Sequence, residues 1–266
     1  MAKAAELSIV ILTEDSGEDG RATVEALVRR MLHLVTPGYG DHHIDFIPRE
    51  PREEEAMRGN VWKTDGKNPQ EYERRVRLLR YIARRLSQQN TFVLFHIDGD
   101  RIWSERHTSE NVAKFERLIR NALPQVFGRG RVHNSRTKAG AQANADPLPV
   151  LHMEHLILLC PFRSIEAWLY QNLRVAIDIC RREHNEAHVI EIEAWEERRA
   201  DLDELPAPEE ELCLGKTFNL ELATSGFPAS KANDVKKSFA ESVDRLVRCD
   251  ALVRALEDTR SWTPSA

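Results

Sequence analysis

The chain has 266 residues, 41% of them hydrophobic and 30% charged, with a formal net charge of −5 at neutral pH. That composition is ordinary for a soluble protein, suits one large α/β domain or a domain with an appendage, and excludes a global bias toward nucleic acid. Apolar runs such as Leu156 to Pro161 are far too short for a bilayer, and the N-terminus carries Lys3 and Glu6 ahead of a strand, so no membrane contact and a cytoplasmic location are expected.

Glu6 to Thr13 reads as a buried strand that ends in an acidic, glycine-containing turn, Glu14 to Gly20. A helix follows from Arg21 to Val35, with Val24, Leu27, Val28, Met31 and Leu32 at helical spacing, and Pro37 and Gly38 close it. His43 to Ile47 suits a short strand, and the polar stretch Pro48 to Pro69 a long loop with one helical turn. Glu71 to Gln88 is an amphipathic helix with Val76, Leu79, Ile82 and Leu86 inward. Six arginines stand against two glutamates from Glu71 to Gln89, a solvated helix face in one reading and a surface for a polyanion in the other.

The central stretch is Thr91-Phe-Val-Leu-Phe-His-Ile-Asp-Gly-Asp100. Its apolar run predicts a strand buried on both faces, the habit of parallel sheets, in which functional groups gather where strands end. In extended backbone, Asp98 and Asp100 would aim at one point, and paired carboxylates call for a cation between them. His96, inside the strand, is expected to be a buried, hydrogen-bonded histidine. Thr108 or Ser109 then caps a helix from Glu110 to Leu123, ended by Pro124. Gly128 to Pro149 reads as a loop whose Arg129, Arg131, Arg136 and Lys138 suit phosphate contacts.

His155 to Pro161 is a further strand, leading into a helix from Phe162 to about Arg182 with Ile165, Trp168, Leu169 and Leu173 inward and Glu166 near its start. An acidic segment follows, with eleven acids against two arginines from His184 to Leu212. Leu212 to Ala266 reads as helical, with helices at Ala232 to Cys249 and Ala251 to Arg260. Cys160, Cys180, Cys213 and Cys249 form no Cys-x-x-Cys pair, which argues for reduced thiols rather than a zinc site or disulfides, and the histidines show no His-x-x-x-His spacing. Strands alternating with helices predict an α/β fold with a mostly parallel sheet over residues 1–182, followed by an acidic linker and helical extension over 183–266. That topology brings Glu14, Asp98 and Asp100 to one sheet edge. They could hold one Mg²⁺ (or Mn²⁺), with Glu166 helping to hold a second, and Arg101, Arg136, Lys138 and Lys216 are candidates for added positive charge.

The order strand–Glu14–turn–helix, then strand–Asp98-Gly-Asp100, resembles the Toprim domain of topoisomerases, DnaG-type primases and OLD-family nucleases. In that family a glutamate after the first strand and an Asp-x-Asp after the third bind magnesium. Asp15 stands where the type II topoisomerase motif has glycine. Pro161-Phe-Arg-Ser-Ile-Glu-Ala-Trp-Leu169 is similar to a segment of small stand-alone Toprim proteins of bacterial defence loci. The resemblance spans about residues 6 to 182 and implies a Rossmann-like Toprim fold and a Mg²⁺-dependent nuclease acting on DNA or RNA, with Glu14, Asp98, Asp100 and Glu166 catalytic. It also implies an anti-phage effector working with a partner ATPase. Two rivals are a haloacid-dehalogenase-type phosphatase, though Ile102 stands where that family has threonine or valine, and a non-enzymatic Toprim-like binding module.

Overall fold

The computed structural model describes residues 7–15, 19–48, 50–64, 67–128, 150–208 and 215–260. Strands β1 (Leu7–Thr13), β2 (Ile44–Phe46), β3 (Thr91–His96) and β4 (Leu156–Leu159) form one parallel sheet in the order β2-β1-β3-β4. Helices cover both faces, so the fold is α/β as the alternation predicts. Every residue of β3 is buried: Phe92 and Leu94 face one layer, Val93 and Phe95 the other. A continuous apolar run of this kind is what a strand between two helical layers requires.

On one face lies α1 (Gly20–Val35), whose Val24, Leu27, Val28, Met31 and Leu32 are buried against the sheet. The same core takes in α5 (Glu166–Leu169), α6 (Leu173–Glu183) and α7 (Val189–Ala194), together with α8 (Asn219–Thr224), α9 (Ala229–Asp234), α10 (Ser238–Val247) and α11 (Asp250–Arg260). The helices beyond residue 215 thus share the apolar core of α1. On the opposite face lie α2 (Pro51–Arg58), α3 (Pro69–Leu86) and α4 (Glu110–Phe115), closing over Val93, Phe95, Leu156 and Leu158. Each fully buried Leu, Ile or Phe here contributes roughly 1.5–3 kcal/mol. Among the described residues no helix is long and apolar enough to cross a membrane.

Chain order sets the position of the site. The chain leaves β1 for β2 on one side, then returns to β3 on the other. The carboxyl ends of β1 and β3 therefore flank the point where strand order reverses, where open parallel sheets form a crevice. At the outer edge, β4 has no strand beyond it among the described residues. Its outward carbonyls are taken by arginines instead: Arg120 Nη2 donates to Leu156 O at 3.3 Å and Arg245 Nη1 to Leu158 O at 3.1 Å.

Several local expectations need correction. Pro48 to Pro69 is more than a loop: Pro51 opens α2, suited to a first helical turn, and Val61–Lys63 forms a 3-10 turn. In α3, Val76 is half-buried, while Leu78, Tyr81 and Ala83 join Leu79, Ile82 and Leu86 inside. Helix α4 passes into a π-turn at Glu116–Arg120, and Pro124 lies near the start of a helical stretch at 123–128 rather than closing one. The helix expected from Phe162 to Arg182 is divided into α5 and α6 where Asn172 Nδ2 leaves the helix to bond Leu222 O (2.8 Å) and Ser225 O (3.2 Å). The helix expected from Ala232 to Cys249 is likewise broken, by Lys236 at φ 58°. Cys160, Cys180 and Cys249 are free and buried; Cys213 lies outside the described residues.

Candidate metal centre

Glu14 leaves β1 directly beside the end of β3. Its backbone N–H donates to His96 O at 3.3 Å, and its Oε1 accepts from the Asp98 backbone N–H at 2.6 Å. Glu14 Oε2 is buried without a hydrogen bond and lies 3.6 Å from Lys63 Nζ. Asp98 Oδ1 is also closed off from solvent without a hydrogen-bond partner. Buried carboxylate oxygens in this condition are costly unless a proton or cation meets them.

The loop after β3 is fixed at many points. Gly99 N donates to Pro161 O at 2.9 Å and Arg101 N to Phe162 O at 2.8 Å. A Cβ on Gly99 would stand 2.8 Å from Phe162 O, so only glycine permits this approach. Ser109, the N-cap of α4, accepts from Val112 N and donates to Gly99 O at 2.7 Å. Asn111 Nδ2 bonds both Asp98 O (2.9 Å) and Asp100 Oδ2 (2.6 Å). Asp98 and Asp100 are not two residues of one extended strand, as the sequence suggests. The strand stops at His96, and Asp100 adopts a left-handed φ of 52°, a conformation aspartate tolerates better than most residues. Asn111 then sets the direction of the Asp100 carboxylate.

Glu166 stands at the start of α5 and is 2% exposed, so it is not a surface helix position. Asn219 Nδ2 donates to its Oε1 at 3.0 Å. Its charge acts on both Asp98 and His96. Burial first, then the charges of Glu14, Glu166, Asp100 and Asp15, hold the Asp98 carboxyl well above the usual range. Glu14 is raised by burial too, with Lys63 and the Asp98 N–H opposing. Burial lowers His96 to about 4, so its ring is neutral at pH 7, with Nδ1 2.9 Å from Thr13 Oγ1, as expected of a buried histidine. Asp15 packs over the start of α1, where a Cβ on Gly20 would stand 2.7 Å from Asp15 Cγ.

Glu14, Asp98, Asp100 and Glu166 thus come together from three separate segments. Their carboxylate oxygens, two of them buried without a hydrogen bond, are hard donors of the kind that divalent cations such as magnesium prefer. The acids are not drawn together as a closed ligand set. Among the described residues the trio gathered to within 4.8 Å is His152, Glu154 and His155, at the other end of the sheet. Sequence reasoning passed over that trio, whose one signal is a His-x-x-His with an acid inside it, and also Lys63, Asn111 and Asn219. The proposed basic residues fare unevenly. Arg101 folds onto its own loop, bonding Thr108 Oγ1 and Asp100 O, and Lys216 is exposed three residues ahead of Asn219. Arg129, Arg131, Arg136 and Lys138 lie outside the described residues.

The arginines of α3 form a more definite basic surface. Arg77, Arg80 and Arg84, with Arg52, line an open groove of about 590 Å³ beside Tyr81. A second depression shares Glu50 and Tyr81 with it and reaches Thr13 and Asp15. No protein-family model, curated protein or solved structure matches the chain.

Proposed function

We propose that the protein is a Toprim-like, Mg²⁺- or Mn²⁺-dependent nuclease acting on phosphodiester bonds of DNA or RNA. The observation that carries this reading is the convergence of Glu14, Asp98, Asp100 and Glu166 at the sheet's reversal point, with Glu14 Oε2 and Asp98 Oδ1 buried and unbonded.

In this reading Glu14, Asp98 and Asp100 hold the cation and Glu166 extends the acidic site. A bound divalent cation supplies charge that polarises a phosphoryl oxygen and makes a water molecule more acidic. The remaining work falls to the chain's own side chains. Asn111 orients Asp100, and the Asp98 N–H orients Glu14. Lys63, beside Glu14, brings positive charge to where negative charge develops on the substrate. Arg77, Arg80 and Arg84 take phosphates of a strand running along the α3 groove toward Thr13 and Asp15.

The test is cleavage of end-labelled single- and double-stranded DNA and RNA by the purified full chain, with Mg²⁺, Mn²⁺ or EDTA. Metal-dependent cleavage lost in Asp98→Asn and Asp100→Asn is expected. Failure to cut any polynucleotide with either metal, or cleavage unchanged in both variants, would overturn the reading.

A further inference from the structure

At the far end of the sheet from the acids, the segment leading into β4 turns through a 3-10 helix, Met153–His155. It is pinned on both sides: His152 N donates to Leu86 O at 3.0 Å, and His155 N to His152 O at 3.1 Å. The turn brings His152, Glu154 and His155 together with one ligand atom of each inside 4.8 Å. His152 Nδ1 lies 3.3 Å from Glu154 Oε1, and His155 Nε2 lies 3.9 Å from the same oxygen.

His155 carries the second observation. It is buried, and its Nδ1 sits 3.1 Å from the carbonyl of Thr91, the first residue of β3. A carbonyl oxygen only accepts, so the proton is on Nδ1 and the lone pair of Nε2 faces Glu154. A backbone carbonyl holding one ring nitrogen so that the other presents a lone pair is the usual outer-shell support of a metal-ligating histidine. Two further facts suit the same role. Glu154 is exposed, so its carboxylate can turn inward without disturbing the core. The His152 ring lies stacked on His155 at 14°, so to share an ion with it the half-exposed His152 side chain must turn. In a tetrahedral site with bonds of 2.0–2.1 Å, donor atoms lie roughly 3.3–3.4 Å apart. His152 Nδ1 and Glu154 Oε1 already match that spacing, His155 Nε2 stands about half an ångström too far from Glu154, and the set as a whole, spread over up to 4.8 Å, must draw in around the ion.

We infer that His152, Glu154 and His155 form a second metal site, for a borderline divalent cation of the zinc type. Two imidazole nitrogens and one carboxylate oxygen are a donor set for such ions rather than for magnesium. Three protein ligands on a solvent-facing turn leave the fourth position to water or an exogenous ligand. The site is independent of the acids at the other end of the strands and of any nuclease activity.

The experiment uses the full-length chain stripped with chelator, then titrated with ZnCl₂ by calorimetry and with CoCl₂ by visible absorption. One Zn²⁺ per chain and a tetrahedral Co²⁺ spectrum are expected. His152→Ala and Glu154→Gln, both on the solvent side, should each weaken zinc by about tenfold or more. His155→Ala should do the same, and the variants at half-buried His152 and exposed Glu154 keep the test independent of any folding defect there. Asp98→Asn should bind zinc as the parent does. Absence of stoichiometric zinc binding, or binding unaltered by both His152→Ala and Glu154→Gln, would overturn the assignment. So would loss of zinc in Asp98→Asn with retention in His152→Ala, which would place the ion among the acids.

Discussion

The backbone N–H of Asp98 donates to Glu14 Oε1 at 2.6 Å, joining the exits of two neighbouring strands across 84 residues of chain. In the proposed nuclease one carboxylate thus has two tasks, holding a loop with one oxygen and leaving the other for a cation. Glutamine separates them, because its amide oxygen still accepts from Asp98 but its charge is gone. Glu14→Gln should keep stability within about 1 kcal/mol of the parent, while Glu14→Ala should lose a further 1.5–3 kcal/mol, roughly the worth of a hydrogen bond to a charged group. Both should abolish cleavage and the rise in melting temperature on adding Mg²⁺. Urea unfolding and thermal scans with and without the metal measure the difference.

Asp98 should show the opposite balance. Its Oδ1 is closed off from solvent and the charges of Glu14, Glu166 and Asp100 act on it, an arrangement that disfavours ionisation. Asp98→Asn removes that conflict at nearly constant shape. In EDTA the variant should melt at or above the parent temperature, while its cleavage rate falls by about a hundredfold or more. A clear loss of stability in EDTA would contradict the crowded-carboxylate account.

A buried chain of polar groups lies under α10. Trp168 Nε1 donates to Ser238 Oγ at 2.6 Å, and Ser238 Oγ donates to Asp203 Oδ1 at 2.5 Å. Ser238→Ala strands both ends and should cost about 2–4 kcal/mol in chemical denaturation. Burial, opposed by the Ser238 hydrogen bonds, raises Asp203 from 3.8 to about 6. A raised folded-state value means that the folded chain keeps a proton the unfolded chain releases. The associated stability is present below pH 4 and is lost as pH climbs through 6, by about 3 kcal/mol in all. The difference in stability between parent and Asp203→Asn, followed from pH 4 to pH 7, should trace that loss.

Arg77, Arg80 and Arg84 are exposed, spaced along one face of α3, and line one groove. If the groove carries a strand, changing all three to glutamine should leave folding intact and weaken single-stranded binding in EDTA. The dependence of log affinity on log salt should become shallower by about 2, since each lost phosphate contact removes roughly 0.7. Fluorescence anisotropy over a salt series measures the slope.

Most of the sheet was legible in the sequence because β1, β3 and β4 are plain apolar runs and α1 and α3 keep helical spacing. The meeting of Glu14 with Asp98 was legible for the same reason, since both follow strands of one parallel sheet. What escaped depended on distant partners. Glu166 was named as a candidate beside the acids, but its burial was not legible, because the packing that buries it and the Asn219 that bonds it lie more than fifty residues later. Asp100 looked like a strand residue, because its left-handed turn is secured by Asn111 and by the approach of Phe162 to Gly99. Lys63 sat in a stretch without periodicity, and the break at Asn172 reflects carbonyls that α8 and the turn after it supply.

Arg120 and Arg245 on the carbonyls of Leu156 and Leu158 have a meaning beyond hydrogen bonding. A bare outer strand is a template on which another chain's strand can grow. Two cationic forks occupy the sockets such a strand would need and oppose a like-charged neighbour, so among the described residues the sheet ends at β4. Replacing both with leucine would open a seam on which copies of the chain could pair edge to edge. The loss would show as concentration-dependent aggregation in light scattering before any change in the acidic site.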